Sequence, residues 1–158
     1  MTAKPFETFD DHGQLSNIAF DPTGHELALA SWDSTVTVLN VAADKPALEL
    51  VGHTRGVEGV AYSPDGLYIA TTSIDDTMRV WNATTGQLMQ VDHDKTPGSP
   101  SFNPGGQILA ETNNDDQIHL WAVCPDCADP AAMLHASRAS VVSPLTPLER
   151  AEVISQTG

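Results

Sequence analysis

His53, Ser73 and Asp75 are the residue types of a serine hydrolase triad: a nucleophile, a base to take its proton, and a carboxylate to orient the base. The same types come again as His12, Ser31 and Asp33, and nearly so as His93, Asn113 and Asp115. Catalysis needs such a set once. A set that recurs at regular intervals is a structural part, and no G-x-S-x-G turn surrounds Ser73 to present it as a nucleophile. Outside these sets the residues that could carry acid, base or ligand chemistry are His25, Glu26, Glu111 and His119, which fall on different segments.

Cys124-Pro125-Asp126-Cys127 is the remaining candidate for chemistry. Tetrahedral zinc needs four ligands, and the chain has two cysteines. His135 as a third ligand, or two chains pooling a pair each, would be needed to complete a site. A thioredoxin-like role would need a βαβ context, which is missing from the pattern. A turn with reduced thiols and a local disulfide are the other two readings. No metal and no cofactor are expected.

The elements that must position these residues are short and repeat. Val57–Tyr62, Leu67–Ser73 and Thr77–Trp81 are β-branched and aromatic runs too short for helices. Pro64-Asp65-Gly66 and Asp75-Asp76 separate them, and Thr84-Thr85-Gly86 leads into a fourth run, Leu88–Val91. Proline presets φ, aspartate bonds nearby backbone, and glycine accepts positive φ, so each break is a turn with a mechanism. Leu39, Trp81 and Trp121 lie 42 and 40 residues apart, as do Phe20, Tyr62 and Phe102. Four strands per ~40 residues, opened by Gly52-His53 and closed near Trp81-Asn82, are the pattern of one propeller blade. Over roughly residues 4 to 123 the chain resembles the WD-repeat β-propeller family.

That resemblance implies an all-β fold with three blades' worth of four-stranded antiparallel sheet. It also implies a hydrogen-bonded network in which the Trp81 indole donates to the Ser73 hydroxyl, Ser73 meets His53, and His53 meets Asp75. The copies depart from it. Leu39 replaces the tryptophan of the first copy and leaves Ser31 without a donor. Asn113 replaces the serine of the third, where it would accept from Trp121 and bond His93. Pro97 and Pro100 fall in the first strand of the third copy, where ladder N–H groups are wanted. Asn40, Asn82 and Ala122 stand where the family has aspartate.

The expected organisation is a lone strand at 4–10, blades at about 11–51, 52–91 and 92–123, and a tail over 124–158. Asp129-Pro130 and Thr146-Pro147 read as helix starts in that tail, with Asp129 and Thr146 as N-caps. The tail resembles the short extension after the propellers of large bacterial signalling ATPases and regulators. No G-x-x-x-x-G-K-[ST] phosphate loop is present in this sequence. Three blades fall short of the 4 to 8 or so that closed propellers use. The chain is therefore expected to complete a ring, either with the rest of a larger protein or as a dimer. In the dimer, Phe6, Thr8 and Phe9 would give the missing strand to the third blade of the partner.

Bulk properties fit an interaction module. The formal charge is −14, from 21 acidic and 7 basic side chains, which disfavours nucleic acid and anionic membranes. No apolar run is long enough to span a bilayer, and Met1–Asp11 lacks the basic and apolar regions of a signal peptide. A cytoplasmic setting is expected. The resemblance implies a non-enzymatic scaffold that binds protein or peptide on one face. Matched onto this chain, that face carries Trp32, Ile74 and Asn114 before the turn aspartates, and Ser16, Glu58 and Gly98 beside the first strands. The competing class is a propeller enzyme working in a central channel, which a metal-dependent activity screen with and without chelator would reveal.

Overall fold

The computed structural model describes residues 14–43, 45–93, 98–112 and 118–123. The chain divides into two compact units, Met1–Asp126 and Cys127–Gly158, and every described residue belongs to the first. Phe6, Thr8, Phe9, His12, Asn113, Asn114, Asp115, Cys124, Cys127 and the expected tail helices lie outside the described residues.

Among the described residues eleven strands form three separate antiparallel sheets. Blade one holds β1 (Leu15–Phe20), β2 (Glu26–Ser31), β3 (Thr35–Asn40) and β4 (Lys45–Val51), paired in that order. Blade two repeats this with β5 (Val57–Tyr62), β6 (Tyr68–Ser73), β7 (Thr77–Asn82) and β8 (Leu88–His93). Blade three shows β9 (Ser101–Phe102), β10 (Ile108–Thr112) and β11 (Ile118–Ala122). The all-β expectation holds, and the strands fall where the β-branched runs put them.

The turns obey one rule in three chemical versions. Asp21, Ser63 and Asn103 each accept a hydrogen bond from the backbone N–H five residues on, that of Glu26, Tyr68 and Ile108. Gly24, Gly66 and Gly106 close these turns at φ values of 76°, 74° and 74°, a region open to glycine without steric penalty. A carboxylate, a hydroxyl and an amide oxygen thus fill one acceptor position.

Among the described residues two cores form between blades rather than inside them. Blade one gives Ala28, Ala30, Val36, Val38 and Leu50 to the first, and blade two answers with Val57, Val60, Ile69, Trp81 and Ala83. The second joins Ala70, Met78 and Val80 of blade two to Leu109 and Val123 of blade three. Ile69 and Ala70 are adjacent yet serve different cores, as strand alternation requires. Blade two is therefore apolar on both faces and buried on both.

Two details refine the expected boundaries. The outer strand of blade two continues to His93, which pairs with Thr77. His93 thus sits in blade two, exposed, and does not open blade three. The first strand of blade three is short, as a proline-rich lead predicts: β9 has two residues, and Pro100 just before it is buried against Gly59 of β5.

Candidate functional site

The triad-like residues of blade two form a continuous polar chain, but through a different hydroxyl. Trp81 Nε1 donates to Thr71 Oγ1 at 2.9 Å, and His53 Nε2 meets the same oxygen at 2.8 Å. His53 Nδ1 then faces Asp75 Oδ2 at 3.0 Å. Ser73, the expected relay, bonds the carbonyls of Arg55 and Gly56 and accepts from the Asp75 N–H. Strand geometry explains the correction. Trp81 pairs with Ile69 across the ladder, so Thr71 lies two residues along the same face and Ser73 four. At ~3.3 Å per residue the indole reaches the nearer hydroxyl, not the farther.

Asp75 anchors the far end. Its carboxylate also accepts from the N–H of Thr54 and from both the N–H and the hydroxyl of Thr77. Burial alone would raise its pKa, but the Thr77 and Thr54 hydrogen bonds and the neighbouring His53 bring it down to about 2. Burial lowers the His53 pKa, against the pull of Asp75, and the nearby Arg79 charge adds to the lowering. His53 is therefore a neutral, doubly hydrogen-bonded imidazole at neutral pH. Each of its ring nitrogens has a partner inside the blade, and the hydroxyl it meets, that of Thr71, is fully buried and also bonded by Trp81. Gly52 leaves room beside this chain: a Cβ there would come within 2.5 Å of the Arg79 guanidinium, which lies 5.9 Å from the Trp81 ring.

The other copies replace the network as linked sets. The position matching Thr71 is Leu29 in blade one, and it sits buried in the same blade as the buried Leu39. Ser31 is therefore not a serine awaiting an indole; its hydroxyl accepts from the Asp33 N–H. In blade three the matching residue is Glu111, which accepts from Trp121 Nε1 at 2.7 Å in the place expected for Asn113. Thr71 and Leu29 were missed by sequence reasoning, and Glu111 was read there as a candidate for acid, base or ligand chemistry, although the two-residue strand period and the spacing from each tryptophan position single all three out. Asp33 keeps the turn role, bonding the N–H and hydroxyl of Thr35, the latter chiefly holding its pKa low.

The expected partner-face residues separate into three groups. Ser16 and Glu58 are the extra residues of β-bulges in β1 and β5. Ser16 is turned inward, donating to the carbonyls of Ala30 and of Val57 in the next blade, and so is taken up in joining blades. Gly98 is half-buried, its N–H bonding the Thr112 carbonyl, which a Cβ would strike. Trp32 is 42% exposed, with its ring laid over Gly56 so that a Cβ at Gly56 would lie 2.5 Å from it. Next to it in the loop, the exposed Arg55 donates to the carbonyl of Ile74, the Trp32 counterpart in blade two. Arg55 is a further exposed residue beside Ile74 that the sequence pattern did not single out.

The residues offered for an enzyme have local partners. His25 Nδ1 meets Thr23, and Glu26 receives the Tyr62 hydroxyl from the neighbouring blade at 3.4 Å. Among the described residues no group of three or more His, Cys, Asp or Glu is placed to hold a metal ion.

The family profile for the WD domain, G-beta repeat, matches residues 3–40 and 44–82. The chain belongs to the WD-repeat family. Periodic tryptophan protein 2 of Arabidopsis thaliana is 36% identical over 75 residues, 48% of this chain and 8% of that protein. An uncharacterized WD repeat-containing protein of Synechocystis is 40% identical over 77 residues, 48% of this chain and 22% of that protein. Small ribosomal subunit protein RACK1y of rice is 34% identical over 79 residues, 49% of this chain and 24% of that protein. This WD-repeat chain thus spans a quarter or less of the length of each of these relatives.

Proposed function

We propose that this WD-repeat chain is a non-enzymatic interaction module that binds protein or peptide on the rim carrying Trp32, Arg55 and Ile74. The observation that carries the reading is the closed chain from Trp81 through Thr71 and His53 to Asp75. It occupies the triad-like groups with structural hydrogen bonds, so the accessible chemistry is that of the surface. Periodic tryptophan protein 2 and RACK1y, the latter named as a ribosomal subunit protein, belong to the same family, in which repeats act as scaffolds. Blades of this kind complete a ring with further blades, from a larger protein or from another copy. Trp32 fits a binding hot spot because it is aromatic, held in orientation by Gly56, and still open to solvent.

Selection of a displayed peptide library against the folded chain tests this. Selected peptides should bind about tenfold or more weakly to Trp32→Ala, the loss expected of an interface anchor. Leu67→Ala, at an exposed turn residue in blade two, should leave binding unchanged. Peptides that ignore Trp32→Ala and Arg55→Ala alike would refute the rim as the contact surface.

A further inference from the structure

We propose that Arg55 takes the side-chain carboxylate of an extended peptide, while a large apolar residue of the same peptide rests on the Trp32 ring. This rests on the reading of the Trp32 rim as the contact surface, and it names what that surface selects. Lys45, Arg55 and Arg79 are the lysines and arginines among the described residues, and each has a different setting. Lys45 pairs with Asn40, at the end of β3 away from the Trp32 loop. Arg79 is half-buried, its Nε donating to Thr77 Oγ1 at 3.3 Å and its guanidinium 5.9 Å from the Trp81 ring. Arg55 is exposed, and the residue after it, Gly56, carries the Trp32 ring.

The loop and the side chain are both held in place. The carbonyls of Arg55 and Gly56 accept from Ser73 Oγ at 3.0 and 2.9 Å, and that of Gly56 also accepts from the Ile74 N–H at 3.1 Å. Arg55 Nη1 donates to the Ile74 carbonyl at 2.9 Å, so part of the ordering cost of binding is met before a partner arrives. That bond uses one of five guanidinium N–H donors, and among the described residues no carboxylate lies within ion-pair distance of Arg55. Asp75, next to Ile74, has its carboxylate taken up by His53, Thr54 and Thr77. A carboxylate accepting two parallel N–H bonds is the geometric match for a planar guanidinium. The formal charge of −14 repels strongly acidic partners. The fitting peptide therefore carries one carboxylate among neutral or basic residues, within two residues of its apolar anchor.

Random dodecapeptides displayed on phage and selected on the folded chain are the probe. Selected sequences should share an Asp or Glu within two residues of a large apolar residue. Synthetic copies should bind Arg55→Gln about tenfold or more weakly, with Arg55→Lys between the two because the charge stays and the fork is lost. Changing the acid of the peptide to its amide should cost as much on the wild type and little on Arg55→Gln, since both changes remove one contact. Arg55 is exposed, so circular dichroism and thermal melts should match the wild type in both variants. Selected peptides without a shared acid, an amide that binds as well as the acid, or full affinity for Arg55→Gln would overturn the proposal. So would a phosphoserine that binds tenfold more tightly in place of the acid, which would assign Arg55 to phosphate. Peptides that need Trp32 but no acid overturn this proposal and leave the rim standing. A library that yields no binder, or only binders indifferent to Trp32→Ala and Arg55→Gln, overturns both.

Discussion

Thr71 carries the heaviest consequence of any single residue, because its hydroxyl accepts from the Trp81 indole while bonding His53. Thr71→Val keeps shape and removes both bonds, and should destabilise by roughly 1–3 kcal/mol through two orphaned buried groups. Trp81→Phe, His53→Ala and Asp75→Ala should each fall in the same range of about 1–3 kcal/mol. Urea unfolding of double variants separates the two candidate relays. Trp81→Phe with Thr71→Val should deviate from additivity by more than about 0.5 kcal/mol, whereas Trp81→Phe with Ser73→Ala should add within about 0.3–0.5 kcal/mol. The reverse pattern would restore Ser73 as the relay. The pH response follows from the same contacts. His53 and Asp75 both have pKa values below their ordinary ones, so both release protons on folding and both make stability rise with pH. The His53 contribution is complete above about pH 6.5 and fades as pH falls below it; that of Asp75 is lost between about 3.8 and about 2. Unfolding free energy should therefore drop from pH 7 to pH 5.5, and His53→Ala should flatten that interval. A wild type whose stability rises over that interval on acidification would contradict the neutral, buried imidazole. The family resemblance implied that His53, Asp75 and Trp81 belong together, with Ser73 as their link. The link proved to be Thr71, because Thr71, Thr72 and Ser73 are consecutive and only the β6–β7 register chooses among them.

At the scale of strands and turns the sequence was most informative. Strand ends lie where Pro, Asp and Gly cluster, and the positive φ of Gly24, Gly66 and Gly106 follows from the same local chemistry. Less legible were the features that depend on two strands at once. The bulges that set Ser16 and Glu58 apart leave no local mark, and the run of β8 through His93 is fixed by pairing with β7. The substitutions between blades read as compensating pairs only in the fold. Leu39→Trp alone would place an indole N–H against Leu29 rather than Ser31, so it should destabilise by roughly 1–3 kcal/mol from overpacking and an unmet donor. Adding Leu29→Thr should recover part of that loss in a thermal melt. A Leu39→Trp variant as stable as wild type, with no further gain from Leu29→Thr, would remove the argument for linked replacement. Gly56→Ala is the complementary probe of the join between blades. Its methyl would displace Trp32, and a fall in tryptophan fluorescence anisotropy without loss of the fold is the expected sign.

The described residues form sheets, each stabilised by what lies beside it, and their stability is accordingly graded from sheet to sheet. Blade two has an apolar core on each side and the complete polar chain; blades one and three each have one such core among the described residues. The polar groups that imitate a catalytic triad belong to this architecture as braces, and the proposed function is carried by the rim. Local opening should therefore begin in blades one and three and reach blade two last. Hydrogen–deuterium exchange of the folded chain tests this claim most directly. The account predicts slowest exchange in Tyr68–Ser73 and Thr77–Asn82, faster exchange in Leu15–Phe20 and Ile118–Ala122, and a loss of the central protection in Thr71→Val. Exchange that is fastest in blade two, or unchanged there by Thr71→Val, would contradict it.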